Sequence, residues 1–386
     1  SPSGAIFSSA ARSQSRSAPS TPASNPELNS RSRRNITSAQ SFRLPIGILA
    51  ESNKLSCMSL SPKIHSPDEL RRIANSALLI EEYNAVHGHH YILIDASSVR
   101  QPLLLTQLPN CPVIALCSDT VNNSEVLERS DFDCLVYPSQ LDQLLANVSA
   151  HPHAATVLCQ LLRQSLDTSI GQALVNESLA YSLLQSSSGF RQWLRQRPSP
   201  SAQEDHLPTV VTAREGDTLE IVLDRPLRHN AYNAAMRDEL WAALQLAVSD
   251  VSIAQTILAG NGPSFCSGGD LTEFGAVTDT AIAHIVRTTR SPGLLLSQIR
   301  SSVTVEVHGA CIGAGVELPA FCHHIRAHSD AYFKLPEVAF GLIPGAGGTV
   351  SISRRIGRQA TAGLALLGNA IDAEHALQLG LIDAIV

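Results

Sequence analysis

Two glutamates of this chain lie in stretches where a charged side chain is costly to bury. Glu317 sits in the small, apolar run "CIGAGVELPAF", and Glu337 sits in "KLPEVAFGLIPGAGGT". A buried carboxylate needs hydrogen bonds or a partner charge. The pattern places each in the first turn of a helix, where the dipole favours a charged carboxylate, and Pro336 suits the first helical position. Two such acids can divide acid and base roles. Sequence spacing does not show whether they meet, and two unrelated buried acids remain the alternative.

Two glycine-rich stretches each follow a predicted strand and open a predicted helix: "SFCSGGDL" (264–271) and "GACIGAGVEL" (309–318). Neither matches a phosphate-binding loop or a dinucleotide fingerprint, and Ser267 lacks the G-x-S-x-G context of a nucleophile. Small residues instead expose backbone N–H groups to a ligand. Two such groups from different junctions can converge on one oxygen as an oxyanion hole. The helix predicted to begin near Ala314 would point its positive end at the same oxygen.

Asp270 ends the first glycine-rich stretch and has two interpretations. Glu273 follows three residues later, which is the spacing of a capping box at a helix start. We favour this capping role over a catalytic one.

The elements around these stretches predict a repeating α/β architecture. "TVVTAREGDTLEIVLDRP" is typical of a hairpin, "NAAMRDELWAALQLAVSD" of an amphipathic helix and "IAQTILAG" of a buried strand. A looser repeat follows, with a helix over 279–300, the strand "SVTVEVHG", a helix from about 314, and the strands "HIRAHS" and "AYFKLP". Repeating ββα units favour an α/β spiral over a dinucleotide-binding sheet.

Residues 209–386 resemble the crotonase, or enoyl-CoA hydratase/isomerase, superfamily. The matching stretches are "LDRPLRHNAYNAAM", "FCSGGDL", "VHGACIGAGVELPAFCHHIRAHSDAYFKLPEVAFGLIPGAGGT" and "NAIDAEHALQLGLID". The resemblance implies a spiral of ββα units and an acyl-CoA thioester whose carbonyl binds the backbone N–H groups of Gly269 and Ala314. It implies catalytic roles for both glutamates, with Glu337 exchanging a proton with the α-carbon and Glu317 activating the water. The positions that it implies for contact with substrate and CoA are Ser267, Gly268, Asp270, Leu271 and Gly313.

The resemblance implies an enoyl-CoA hydratase that adds water syn to a 2-enoyl-CoA, because relatives of other activity often lack one of the two glutamates. An isomerase, or another acyl-CoA hydrolase or lyase of the superfamily, is the first alternative. A non-catalytic module that binds acyl-CoA or a protein is the second. No cofactor or metal is expected beyond the coenzyme A thioester substrate, and homotrimers or pairs of trimers are expected.

The rest of the chain predicts three further regions. Residues 1–55 are rich in Ser, Pro and Arg and predict a disordered leader, with a transit peptide as the alternative. Residues 64–196 predict a small α/β domain of unknown role with a parallel sheet and C-terminal helices, and they show no catalytic constellation. Residues 197–208 read as a linker. The relatives usually continue beyond "LIDAIV" through further helices, so we expect the sequence to be truncated there.

Overall composition narrows the partners and the compartment. The formal net charge of −6 gives no reason to expect a nucleic-acid partner, and no apolar stretch approaches the roughly 18 residues of a membrane span. The eight cysteines form no CxxC pair and no disulfide-like cluster. They indicate reduced core thiols, which favours the cytoplasm, or the mitochondrial matrix if the leader is a transit peptide.

Overall fold

The computed structural model describes residues 62–86, 89–118, 124–197, 208–299 and 302–386, all within one compact unit, Leu60–Val386. The predicted leader and most of the predicted linker lie outside the described residues. The helices are α1 (Pro67–Ala74), α2 (Ala77–Glu81), α3 (Ser124–Glu128), α4 (Pro138–Ala150), α5 (Pro152–Ser165), α6 (Ile170–Gln185), α7 (Ser188–Gln196), α8 (Ala234–Ser249), α9 (Thr280–Thr289), α10 (Pro292–Leu296), α11 (Ala314–Glu317), α12 (Gly348–Leu367) and α13 (Ala373–Leu379). The strands are β1 (Ile64–His65), β2 (Ile92–Asp95), β3 (Val113–Leu116), β4 (Cys134–Val136), β5 (Val210–Glu215), β6 (Thr218–Leu223), β7 (Gln255–Gly260), β8 (Ser302–Val307), β9 (Ala310–Ile312), β10 (His324–Ala327), β11 (Tyr332–Lys334), β12 (Ile371–Asp372) and β13 (Ala384–Ile385).

The N-terminal half contains a parallel sheet, as its sequence predicts. Its four strands lie in the order β1-β2-β3-β4, and every neighbouring pair is parallel. The first three residues of both β2 and β3 are buried. Strands covered on both faces have continuous apolar runs. The runs "YILIDAS" (91–97) and "PVIALCS" (112–118) predict β2 and β3 for this reason.

Periodicity predicts one continuous helix each over "PDELRRIANSALLIEEYNAV" (67–86), "NESLAYSLLQSSSGFRQWLRQR" (176–197) and 279–300, and each is broken at a serine. Ser76 separates α1 from α2, Ser187 separates α6 from α7, and Ser291 separates α9 from α10. Each serine hydroxyl accepts the N–H of the residue three positions on, at 3.2–3.3 Å. The apolar spacing continues across each break, so periodicity alone misses a cap that starts a new helix.

The C-terminal half has the mixed α/β architecture that the sequence predicts. Six strands form a sheet in the order β13-β10-β8-β7-β6-β5, and three more form a second sheet in the order β12-β11-β9. The β5–β6 pair is antiparallel, and Gly216 in its turn has φ of 58°. The other neighbours in the six-stranded sheet are parallel. The predicted hairpin is therefore confirmed.

The two halves share the larger of two hydrophobic clusters among the described residues, and the smaller one lies within the N-terminal half. Leu158 of α5 and Ile352 of α12 belong to the same buried cluster. Polar contacts reinforce this packing: the Arg358 guanidinium donates to the carbonyl oxygens of Phe132 at 2.7 Å and Ser130 at 2.8 Å. The N-terminal half is thus packed directly against α12, whose first residues border the candidate site.

The described residues were compared with two further predictions, on disulfide bonds and on membrane spans. The seven cysteines of this part of the chain are buried and free of disulfide bonds. Across the same residues, no helix has both the length and the apolar character that crossing a membrane would require.

Candidate active site

The two glycine-rich turns are neighbours in the fold. The Cys266 N–H donates to the Ala310 carbonyl at 3.1 Å, and the Ile312 N–H donates to the Cys266 carbonyl at 2.9 Å. Gly268 has φ of 93°, and a Cβ there would lie 3.0 Å from the Ile312 carbonyl oxygen. A glycine at this position therefore allows the backbones of the two turns to approach closely.

A cavity of about 260 Å³ opens beside these turns. Gly269 and Ala314 both line it, and among the described residues none accepts a hydrogen bond from the N–H of either. Segment 273–294, from the region after the first turn, also contributes to the lining. The lining includes the two acids, both glycine-rich turns and part of the N-terminal half: Glu177, Tyr181, Gly269, Arg287, Ala314, Glu317, Glu337 and the turn 345–347.

Glu317 is held by backbone groups. It is the last residue of α11, the single helical turn that begins after Gly313, and only 2% of it is exposed. Its Oε2 accepts the N–H groups of Ala346 at 2.7 Å and Gly348 at 2.9 Å. Burial raises the pKa of Glu317 to about 7, and these hydrogen bonds limit the rise.

Glu337 has a different environment. It lies in a first turn, as predicted, but the element is a short 3₁₀ helix, Glu337–Phe340, and Pro336 precedes it instead of occupying its first position. Gly341, in the left-handed region at φ of 74°, follows and ends the turn after four residues. Glu337 is buried, and its Oε2 has no hydrogen-bond partner among the described residues. Burial and then the charge of Glu317 raise the pKa of Glu337 well above its usual range.

The fold brings these two acids to the same cavity, which their sequence spacing could not show. Gly313 helps to make this possible. Its backbone has φ of 50°, and a Cβ there would lie 2.5 Å from Oε1 of Glu337. Any larger residue at position 313 would displace the Glu337 carboxylate.

Asp270 does not form the predicted capping box. No helix follows it, and its Oδ1 accepts the Thr272 N–H at 3.0 Å within a tight turn. Its Oδ2 pairs with the buried Arg225 guanidinium at 3.0 Å. Glu273 accepts the N–H of Ala234 at 2.9 Å, at the start of α8. A cation 45 positions away in the chain, which local spacing cannot reveal, holds this carboxylate.

Of the five residues predicted to contact substrate and CoA, only Asp270 lines the cavity. Asp270 lines the cavity together with Gly269, whereas Ser267, Gly268, Leu271 and Gly313 are not part of its wall. The N–H of Ser267 donates a hydrogen bond to the His229 carbonyl at 2.9 Å, which fixes its backbone. Leu271 is 47% exposed beside the cavity's Asp270.

The N-terminal half contributes one wall of the cavity, which sequence reasoning missed. Seven residues of α6 line it, including Glu177, Ser178 and Tyr181. Burial, followed by the charge of Glu317, raises the pKa of Glu177 to about 8. The available signal was an acid among Leu174, Tyr181 and Leu184, at the spacing of one helix face.

The C-terminal half is similar in sequence to known proteins. The family model described as enoyl-CoA hydratase/isomerase matches residues 214–386. The chain is 34% identical over 175 residues to 2,3-dehydroadipyl-CoA hydratase of Escherichia coli (strain K12), a match covering 45% of this chain and 67% of that protein. The chain belongs to the enoyl-CoA hydratase/isomerase family. The predicted superfamily membership is thereby confirmed.

Other members of the enoyl-CoA hydratase/isomerase family give matches of similar extent. A probable enoyl-CoA hydratase of Rhodobacter capsulatus is 39% identical over 165 residues, which cover 42% of this chain and 62% of that protein. The crystal structure of enoyl-CoA hydratase from Mycobacterium smegmatis is 29% identical, with a TM-score of 0.44 over 46% of this chain and 70% of the other. The family model leaves residues 1–213, and therefore the α6 wall of the cavity, unmatched.

Proposed function

We propose that the protein is an enoyl-CoA hydratase, a hydro-lyase that adds water syn across the double bond of a 2-enoyl-CoA. The observation that carries this proposal is the presence of Glu317 and Glu337 in one cavity with Gly269 and Ala314. Relatives named as enoyl-CoA hydratases add support from the comparison. The proposed reaction uses no cofactor beyond the coenzyme A thioester of the substrate.

The proposed reaction divides two proton transfers between the two glutamates. The thioester carbonyl accepts the N–H groups of Gly269 and Ala314, which stabilise the enolate oxygen as negative charge develops. Ionised Glu317 takes a proton from water while the hydroxide portion bonds to the β-carbon. Protonated Glu337 then delivers its proton to the α-carbon, so one water has been added overall. The orphan Oε2 of Glu337 and its raised pKa suit a carboxyl that donates.

Substitution of each glutamate by glutamine tests this proposal with crotonyl-CoA. We expect Glu317→Gln and Glu337→Gln each to lower kcat by about 10²–10⁴-fold, the usual contribution of general acid or base catalysis. Glu306→Gln, at an exposed strand position, is the matched control and should retain full activity. Undiminished hydration in either active-site variant would contradict the proposal. Mass spectrometry of an acyl-CoA panel separates hydration, which adds one water, from isomerisation, which leaves the mass unchanged.

The two raised pKa values predict a bell-shaped dependence of kcat/KM on pH. Activity should rise through about pH 7 as Glu317 ionises, and fall at higher pH as Glu337 loses its proton. A profile that is flat between about pH 6 and pH 9 would contradict the assigned roles.

Assembly and compartment belong to the same proposal. We expect a homotrimer or a pair of trimers in the cytoplasm, with the mitochondrial matrix as the alternative. Light scattering coupled to size-exclusion chromatography measures the first, and imaging of the tagged full-length protein measures the second.

A further inference from the structure

Glu177 is the acid that the N-terminal half places in the cavity wall. It lies on α6 and is 2% exposed. Its Oε1 accepts the Gly347 N–H at 2.7 Å, and its Oε2 accepts the Thr349 N–H at 2.9 Å and the Thr349 hydroxyl at 2.6 Å. Both oxygens are therefore fixed by the segment that leads into α12.

The same segment also fixes Glu317. The N–H groups of Ala346 and Gly348 donate to Glu317, whereas those of Gly347 and Thr349 donate to Glu177. Four successive N–H groups thus alternate between two carboxylates. Because the N–H groups that bind Glu317 and those that bind Glu177 belong to adjacent residues, each carboxylate also orients the backbone that binds the other. Gly348 leaves no spare room, since a Cβ there would lie 2.6 Å from Cγ of Glu317.

No cation neutralises this arrangement at close range. Among the described residues, no ion pair within 4.0 Å includes Glu177, Glu317 or Glu337. The charged and titratable groups that line the cavity with Glu177 are Tyr181, Tyr232, Arg237, Asp270, Glu273, Arg287, Arg290, Glu317 and Glu337. On the elements next to α6, His284 contacts the Ser178 hydroxyl, and Arg354 of α12 donates to the Ser165 carbonyl. Arg287, which lines the same cavity, donates its hydrogen bonds to Ser178, Ser182 and Gln185 of α6.

We propose that Glu177 is a positioning residue for the hydration reaction: it holds the 346–349 turn so that the Glu317 carboxylate faces the reacting water, and its charge acts on the proton held by Glu337. The inference rests on the proposed function, because it assigns Glu317 and Glu337 their roles. It makes the N-terminal half an integral part of the active site. Glu177 and Glu337 line the same cavity, which allows the charge of one to act on the other. In agreement with this, burial, the charge of Glu317 and then that of Glu177 raise the pKa of Glu337.

Two substitutions separate the geometric contribution from the electrostatic one. Glu177→Ala leaves the N–H groups of Gly347 and Thr349 without acceptors, so kcat should fall by about 10²-fold with KM changed by less than about 3-fold, because Glu317 is misplaced. Glu177→Gln keeps an oxygen acceptor but removes the charge, so its loss of kcat should be smaller, about 3–10-fold. In Glu177→Gln the alkaline limb of kcat/KM should move to lower pH, because Glu337 releases its proton more easily.

Glu239→Gln is the matched control. The Glu239 carboxylate also accepts two backbone N–H groups and a threonine hydroxyl, from Thr209 and Val210, but it does not line the cavity. It should lose stability comparable to that of Glu177→Gln while its kcat and its pH profile remain those of the wild type. Wild-type kcat and an unmoved alkaline limb in folded Glu177→Gln would overturn the proposal, even if Glu177→Ala does not fold.

Carboxyl titration distinguishes this proposal from failure of the proposed function. Full-length protein labelled with ¹³C at the glutamate carboxyl groups, with Glu337→Gln used to assign the Glu337 signal, reports its proton directly by NMR. If the wild type hydrates no acyl-CoA of the panel, the proposed function fails, and a downward shift of the Glu337 titration in Glu177→Gln still supports the coupling. An unshifted titration overturns the coupling whether or not the enzyme is active.

Discussion

The molecule buries carboxylates in two different ways, one in the N-terminal sheet and one around the cavity. Asp133 beside β4 is 3% exposed. The Arg163 guanidinium donates two hydrogen bonds to it, from Nε to Oδ1 at 2.8 Å and from Nη2 to Oδ2 at 2.6 Å. Glu177, Glu317 and Glu337 are similarly buried but have only neutral donors, or none, within hydrogen-bond distance among the described residues. The first arrangement pairs the carboxylate with a cation, whereas the second does not.

This difference separates structural acids from acids available for proton chemistry. A guanidinium within hydrogen-bond distance favours the charged form of a carboxylate, which opposes its use as a proton donor. Burial without a cation raises the pKa toward neutrality, where proton transfer in either direction is possible. Asp270 illustrates the criterion, because it lines the cavity yet its pairing with Arg225 places it in the structural class.

The largest expected effect comes from breaking the neutral pair. Arg163→Met should lower the free energy of unfolding by about 3–5 kcal/mol, because Asp133 is left buried and uncompensated. Urea denaturation measures the change. The double variant Arg163→Met, Asp133→Asn should recover part of the loss, since the orphan charge is gone. Equal stability of the single and double variants would show that lost packing, not charge, sets the cost.

For an acid of the cavity, removal of the ionisable group should raise the free energy of unfolding instead of lowering it. Glu337 has a raised pKa when folded, so its contribution to stability is present below its unfolded value of about 4.5 and is lost as pH rises through the folded value. Glu337→Gln should therefore be more stable than the wild type by about 0.5–2 kcal/mol at about pH 9, and this gain should vanish near pH 5. Thermal unfolding across this pH range measures it. Destabilisation that is independent of pH would contradict the assignment.

The smallest effect is expected for a pair of exposed charges. Arg326 and Glu306 lie opposite one another on β10 and β8, 3.0 Å apart and about half exposed. Arg326→Gln should change the free energy of unfolding by less than about 0.5 kcal/mol, because water already solvates both groups. A salt titration of wild type and variant is the matching control. A loss near that of Arg163→Met would show that burial does not explain the comparison.

Local pattern was sufficient for much of the fold. The antiparallel β5–β6 hairpin was predictable because alternating residues flank a turn containing Gly216, and β2 and β3 because apolar runs are bounded by turns. The breaks at Ser76, Ser187 and Ser291 were not recognised, because apolar periodicity persists across them. At Glu337 a proline predicted the first position of a helix, but Pro336 precedes a short 3₁₀ helix that the left-handed Gly341 ends after four residues.

The sequence by itself determined the chemical groups of the candidate site: two acids in apolar runs and two glycine-rich turns after strands. Those features are local, since small residues and apolar runs are read from a few neighbouring positions. Only the tertiary structure decided that Glu317 and Glu337 line one cavity, that Arg225 holds Asp270, and that Glu177 shares a turn with Glu317. Glu177 and Gly347 are 170 positions apart. Packing of α6 against the start of α12, which no local pattern encodes, brings that carboxylate to the cavity wall.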